Sequence, residues 1–332
     1  MGRLVFKTLL KRSSFPLTAP HPAGWREHRM IKEGCIQIFH QPKTKKRAFV
    51  GMNLKKFFTI VISLSALLYV GACAYLYFCQ DQLIFHPKYD WKATPESIGL
   101  KYSEVSFQAQ DGTHLSGWFV PSAPERAVIL FCHGNSNNIS FELGPLKVFH
   151  ELGFSMFFFD YRGYGHSEGH PSEKGMAMDA EAALNYLLTE KKIPMERIII
   201  QGRSLGGGVA IPLAVRYTPR ALLVDSTFRS LRELAAAKYP IMPINLILRT
   251  RFENLHKISK LKCPVLITHS RQDRVIPFFH GLTLFEAAPE PKTFLEISGP
   301  HDNTGYPESQ ARYAKGVKDF LELYAPLRVN PV

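Results

Sequence analysis

The chain places a serine, an aspartate and a histidine each just after an apolar run, where their side chains could do chemistry together. Ser204 lies in Gly202-Arg203-Ser204-Leu205-Gly206, between the β-branched run 198–200 and the apolar stretch 209–215. A strand that turns into a helix through Gly-x-Ser-x-Gly is a nucleophile elbow. Its glycines omit the Cβ atoms that so tight a turn has no room for. The serine then stands at a helix mouth, where backbone N–H groups lack partners and can hold an oxyanion. A serine hydroxyl is a weak nucleophile alone. It needs a base, and the base needs an acid to set its tautomer.

The same spacing occurs a second time, in Gly165-His166-Ser167-Glu168-Gly169. There the flanks are Tyr161-Arg162-Gly163-Tyr164 and His170-Pro171, which is turn chemistry on both sides. Context therefore selects Ser204 as the nucleophile and leaves Ser167 as a loop residue.

Catalytic groups of a parallel sheet gather at the carboxyl ends of its strands, which narrows the search for partners. Asp273 follows the apolar run 264–268, and His301 follows the run 293–297. The chain order Ser204, Asp273, His301 is the one expected of such an elbow. Asp225 also ends an apolar run and is the alternative acid, while Asp302 adjoins the histidine too closely to fold back on it. Two N–H donors are needed for the oxyanion. Leu205 supplies one, and Asn135 the other, with Gly134 as its alternative; both follow the run 127–131. His133 is read as holding that loop by a hydrogen bond. No histidine or cysteine has metal-ligand spacing, so neither a metal nor an organic cofactor is expected.

These residues need a scaffold that brings strand ends together. Residues 102–108 and 114–120 alternate as strands about an Asp111-Gly112 turn. Apolar strands at 127–131, 154–159, 198–200, 221–224, 264–268 and 293–297 then alternate with helices at 141–152, 177–188, 209–215, 278–287 and 311–324. That pattern predicts an α/β fold, a mostly parallel sheet with helices on both faces. The alternation breaks at 228–262, a small cap insertion with eight basic residues against Glu233 and Glu253. Within it, 239–248 is almost wholly apolar. Such a stretch suits a lid on an anionic bilayer or an acyl chain, or equally a cap helix burying its face on the sheet.

The net charge of +13 suggests a nucleic-acid partner until it is located. Residues 1–56 hold 13 Lys and Arg against 2 Asp and Glu, so +11 lies in a basic tail and +2 in all the rest. A near-neutral remainder argues against nucleic acid. The tail precedes 57–79, which has no charged residue and is long enough to span a bilayer. Lys43, Lys45, Lys46, Arg47, Lys55 and Lys56 flank its N-terminal side, which puts the N-terminus in the cytoplasm and residues 80–332 across the membrane. Residues 80–100 read as a linker. Met52-Asn53-Leu54-Lys55-Lys56 resembles a natural start, with residues 1–51 then untranslated; a disordered tail is the alternative. Val70-Gly71-Ala72-Cys73 resembles a lipobox, though the apolar run continues past it.

Taken together, His133-Gly134-Asn135, Asp160-Tyr161-Arg162-Gly163-Tyr164-Gly165, the Ser204 elbow, Asp225-Ser226-Thr227-Phe228 and Asp273-Arg274-Val275-Ile276-Pro277 resemble the α/β-hydrolase superfamily. They are similar in particular to its membrane-anchored serine hydrolases, which include bacterial single-pass proteins and eukaryotic relatives that cleave acyl thioesters from proteins. The resemblance covers roughly residues 80–325 and implies an α/β-hydrolase fold with a triad at Ser204, Asp273 and His301. It implies hydrolysis of carboxylic esters or thioesters through an acyl-enzyme, with a small acyl ester, a lipid or an acylated protein as substrate. A serine peptidase of the same fold and a catalytically silent binding scaffold are the alternatives. Thr268-His269-Ser270 departs from the His-Gly pair usual before the acid in relatives.

Overall fold

The computed structural model describes residues 53–301 and 307–326. The readings that fall on residues 1–52 and on Asp302 lie outside them.

Eight strands make the central sheet: β2 (Ser103–Gln108), β3 (His114–Val120), β4 (Ala127–Cys132), β6 (Phe154–Phe159), β7 (Ile198–Arg203), β8 (Ala221–Asp225), β9 (Val265–Ser270) and β10 (Lys292–Ile297). Two-residue strands β1 (His86–Pro87) and β5 (Ser136–Asn137) pair separately. The order is β10-β9-β8-β7-β4-β6-β3-β2. β2 with β3 and β3 with β6 run antiparallel, and every other pair in that sheet is parallel. The sheet is therefore mostly parallel, with its antiparallel pairs at the edge formed by the leading hairpin.

Every residue of β4, β6, β7, β8 and β9 is buried, as continuous apolar runs require when both faces are covered. Alternate residues serve opposite faces. Val128 and Leu130 of β4 pack with α3 (Glu173–Thr189), α4 (Gly207–Tyr217) and α8 (Phe279–Ala287). Ala127, Ile129 and Phe131 pack with α2 (Leu143–Glu151) and α9 (Pro307–Tyr324). Ser172 caps α3 by accepting from Gly175 N.

Two regions differ from the sequence reading. The apolar segment at 57–79 lies inside α1, Leu54–Ile84, a helix of 31 residues that continues into the first five residues of the expected linker. Its large apolar side chains are exposed from Leu54 to Phe78. Gln80 is buried, because its carboxamide serves three backbone groups of the cap at once. Its Oε1 accepts from Arg249 N at 2.8 Å and Thr250 N at 3.1 Å, and its Nε2 donates to Ile247 O at 3.3 Å. After α1 the chain enters β1 and then a 3-10 turn at Pro95–Ile98, so residues 80–100 are built into the domain. The cap itself consists of α5 (Leu231–Lys238), α6 (Ile244–Ile247) and α7 (Leu255–Ile258). α6 and α7 are one turn each, too short to carry a helical periodicity.

Candidate active site

β7 ends at Arg203, and a 3-10 turn at Ser204–Gly206 passes directly into α4. The turn leaves its glycines no room for side chains. A Cβ on Gly202 would stand 2.5 Å from Ala210 Cβ, and one on Gly206 would run into Cys132 O and His133 O. Ser204 takes φ +53°, a left-handed conformation costly for a residue with a Cβ. Thr227 Oγ1 donates to Ser204 O at 2.6 Å and holds the strained peptide from the end of β8.

His301 and Asp273 reach this serine from the loops after β10 and β9. His301 Nε2 is 2.9 Å from Ser204 Oγ, and His301 Nδ1 is 2.7 Å from Asp273 Oδ2. Asp273 Oδ1 accepts from Val275 N and Ile276 N, both at 2.8 Å. Burial alone would raise this carboxyl, but hydrogen bonds from His269, His301 and Ile276 outweigh it and hold it well below the usual carboxylate range. It is an anion facing an imidazole. The histidine loop is tied down by Ser270 Oγ, which donates to Gly299 O at 2.5 Å, and by Gln272, whose Oε1 accepts from Gly299 N. A serine, an imidazole and a carboxylate in this line can move a proton off the hydroxyl as it attacks.

The loop after β4 packs over the elbow: the Cβ position of Gly134 lies 3.6 Å from Ser204 Cβ. Asn135 follows at the same end of β4, and Leu205 sits in the first turn after the serine. The Asn135 side chain is engaged elsewhere, its Nδ2 donating to Ile84 O at 2.5 Å, so only its backbone is left for the site. Tyr164 OH donates to Asn135 O at 2.7 Å and steadies the loop. His133 is buried, and burial pushes its imidazole down to about 3 against the opposing hydrogen bond with Gly134. Neutral, it donates from Nδ1 to Gly134 O at 2.8 Å.

The competing residues are placed apart. Ser167 is buried, donates to Asp160 O at 2.7 Å and accepts from Ser116 N at 2.9 Å. Asp225 accepts from Gln201 Nε2 and Thr268 Oγ1, both at 2.6 Å, and from Tyr313 OH at 2.8 Å. Burial raises its carboxyl, and the three donors tie together β7, β8, β9 and α9 instead of reaching His301.

Three residues escaped the sequence reading. His269, wholly buried in β9, donates from Nε2 to Ile276 O at 2.9 Å and stands 3.5 Å from Asp273 Oδ2. Its signal was the altered Thr268-His269-Ser270 segment. Thr227 lay within a recognised motif without a role. Gln80 gave no signal at all. Among the described residues no three His, Cys, Asp or Glu side chains gather as a metal site requires.

Two cavities lie near these elements. One of about 610 Å³ opens beside the imidazole, lined by Gln272, Arg274, Val275, Gly299, Pro300 and His301. Another of about 520 Å³ lies away from Ser204, between the end of α1, α3, α4 and the cap, and Asp81, Glu173 and Arg249 line it.

Comparison with known proteins gives consistent results. The family described as serine aminopeptidase, S33, matches residues 123–257. The α/β-hydrolase domain-containing protein WAV2 of Arabidopsis thaliana is 33% identical over 300 residues, covering 80% of this chain and 97% of its own. An uncharacterized protein of Mycobacterium tuberculosis is 34% identical over 255 residues, 76% of this chain and 91% of that one. An uncharacterized membrane protein of Saccharomyces cerevisiae is 29% identical, covering 75% and 90%. Among solved structures, a Pyrococcus furiosus esterase superposes with a TM-score of 0.61 at 18% identity, over 73% of this chain and 98% of its own.

Proposed function

Since this chain belongs to the α/β-hydrolase family, we propose that it is a serine hydrolase that cleaves carboxylic esters or thioesters through an acyl-enzyme. The observation that carries this reading is the hydrogen-bonded line from Ser204 Oγ through His301 to Asp273 Oδ2, at 2.9 and 2.7 Å. Ser204 Oγ attacks the acyl carbon while His301 Nε2 takes its proton. Asp273 keeps the other ring proton on Nδ1 and stabilises the imidazolium. The N–H groups of Leu205 and Asn135 hold the oxyanion. His301 then gives the proton to the departing alkoxide or thiolate, and water enters by the reverse route to release the acid.

The matched family's description favours a second reading, an aminopeptidase. Such an enzyme needs an anion to seat the substrate's free ammonium group. Arg274 lines the cavity beside His301 and would repel that group, which supports the ester or thioester reading. The apolar cap points the same way, toward acyl groups.

α1 is read as a single membrane span, because it is 31 residues long and most of its large apolar side chains are exposed. Lys55 and Lys56 at its start favour an N-terminus in the cytoplasm and a hydrolase domain on the far side.

The test is labelling of the full-length chain by a fluorophosphonate probe, beside Ser204→Ala. Loss of labelling in the variant is expected. Labelling that persists would move the nucleophile elsewhere, and a folded wild type that never labels would favour the silent scaffold.

A further inference from the structure

The cap is bare where it meets α1. Ile241 and Leu246 are 79% and 83% exposed, while Ile244 and Leu248 beside them are buried. A helix that merely covered the sheet would not turn one apolar set inward and hold another in the open.

Two contacts set the height of this bare segment along α1. The lower one is polar: Gln80 binds the backbone at Ile247, Arg249 and Thr250, Arg249 pairs with Asp81 at 3.7 Å, and its guanidinium lies over the Tyr77 ring. Charges and a tyrosine at one level are what a membrane–water boundary collects. The upper contact is Tyr69 OH, which donates to Ile241 O at 2.9 Å. At 1.5 Å per residue, Tyr69 stands about 16 Å along the helix from Gln80, roughly half the thickness of a hydrocarbon core.

Most backbone N–H groups of the segment are paired without water, those of Ile241 and Asn245 being the exceptions. Tyr239, Met242, Ile244, Leu246, Ile247 and Leu248 all donate their N–H to nearby carbonyls. Pro240 and Pro243 have no N–H to satisfy, and Ile241 O is met by the Tyr69 hydroxyl. Lys238, Tyr239 and Asn245 carry the polar groups in or beside the stretch, and Lys238 has a stem long enough to return its ammonium toward water.

The surroundings of Ser204 are joined to the end of α1 and to the start of the cap. Asn135 Nδ2 donates to Ile84 O at the end of α1, four residues beyond Gln80 and so about 6 Å further along. Thr227, which holds Ser204 O, leads directly into the cap.

We propose that residues 239–246 lie within the bilayer hydrocarbon, packed against α1, and that the esters or thioesters reaching Ser204 are those whose acyl chain is held in that bilayer. The proposal rests on reading α1 as a span and the chain as a serine hydrolase.

Depth-dependent quenching tests it with the full-length chain in phospholipid vesicles containing lipids brominated at mid-chain or near the headgroup. Ile241→Trp and Leu246→Trp report on the cap, Leu67→Trp on α1, and Leu323→Trp on the exposed surface of α9. Mid-chain quenching of Ile241→Trp should come within about twofold of that for Leu67→Trp, since both would sit near the midplane. Leu323→Trp should add no quenching to the native tryptophans. If Leu67→Trp is quenched and Ile241→Trp is not, or is quenched only near the headgroups, the proposal fails with the span intact. If neither is quenched, the span reading fails and the proposal falls with it. For the substrate, Ile241→Glu should slow hydrolysis of a long-chain thioester held in vesicles about tenfold more than that of a short soluble ester, because it places a charge in hydrocarbon. Equal losses would overturn the bilayer-held substrate. No turnover of either ester by labelled wild type would instead count against the ester and thioester reading.

Discussion

Ser167 and Ser204 sit in segments of the same spacing, yet one is sealed against backbone groups and the other stands 2.9 Å from an imidazole. The glycines do different work in the two places. Around Ser167 they supply conformation first, Gly165 and Gly169 taking φ of +50° and +84°, and Gly165 also gives the room that the Asp160 side chain fills. Around Ser204 they supply space, and the left-handed conformation falls on the serine itself at +53°. Glycines absorb such angles at little cost; a serine does so only when its surroundings hold it there. The nearby carboxyls diverge as well. Asp160 is raised to about 7 by burial, against hydrogen bonds from Trp91 and Ile139, whereas Asp273 is held low by its donors despite burial. One segment stabilises a loop, and the other sets a serine hydroxyl beside an imidazole.

Replacing the two serines should separate these roles most sharply. Ser204→Ala should lower kcat/KM for a short ester by about 10⁵-fold while the fold survives, measured beside a thermal melt. A loss under tenfold would return Ser167 to consideration. Next comes Asp273→Asn, which should cost about 10⁴-fold because His301 would lose the acceptor for its Nδ1 proton. Activity near wild type would point to another acid. The two aspartates should also differ in pH dependence. Asp273, depressed in the fold, contributes stability that is present above its unfolded value near 3.8 and lost as pH falls below it. Asp160, raised in the fold, contributes stability that is complete below about 4 and lost as pH rises through about 7. Relative to wild type, Asp160→Asn should therefore gain roughly 2–4 kcal/mol between pH 4 and pH 8, seen in denaturant unfolding at each pH. A difference that stays flat would show that Asp160 does not titrate in that window. Smallest is Ser167→Ala, which leaves Ser116 N and Asp160 O without their partner. It should cost about 1–3 kcal/mol of stability and leave fluorophosphonate labelling intact.

Much of the sheet was legible because its strands are local events. Runs such as Ile198-Ile199-Ile200 and Phe157-Phe158-Phe159 state their burial without help from distant residues, and the turns after them carry Gly, Asp or His. The positions of Ser204, Asp273 and His301 could be proposed for the same reason. Parallel strands align their carboxyl ends, so residues far apart in the chain converge wherever each follows its own strand. The cap was legible only as an interruption, since its helices are too short to show a period. Asp225 and Asp273 looked alike because both end apolar runs. What separates them is the set of donors that arrives: Gln201, Thr268 and Tyr313 at the first, and His301 with two backbone amides at the second.

The sequence by itself determined the strand and helix order, the Ser204 elbow and the apolar stretch at 57–79, because hydrophobic periodicity and the chemistry of glycine act within a few residues. Only the tertiary structure decided that Gln80 is a buried clasp on the cap, that Asn135 reaches Ile84 and that Tyr69 meets Ile241. Each of these joins α1 to a segment more than fifty residues away. A polar side chain gives no sign of such a partner until the fold brings the partner's backbone within reach.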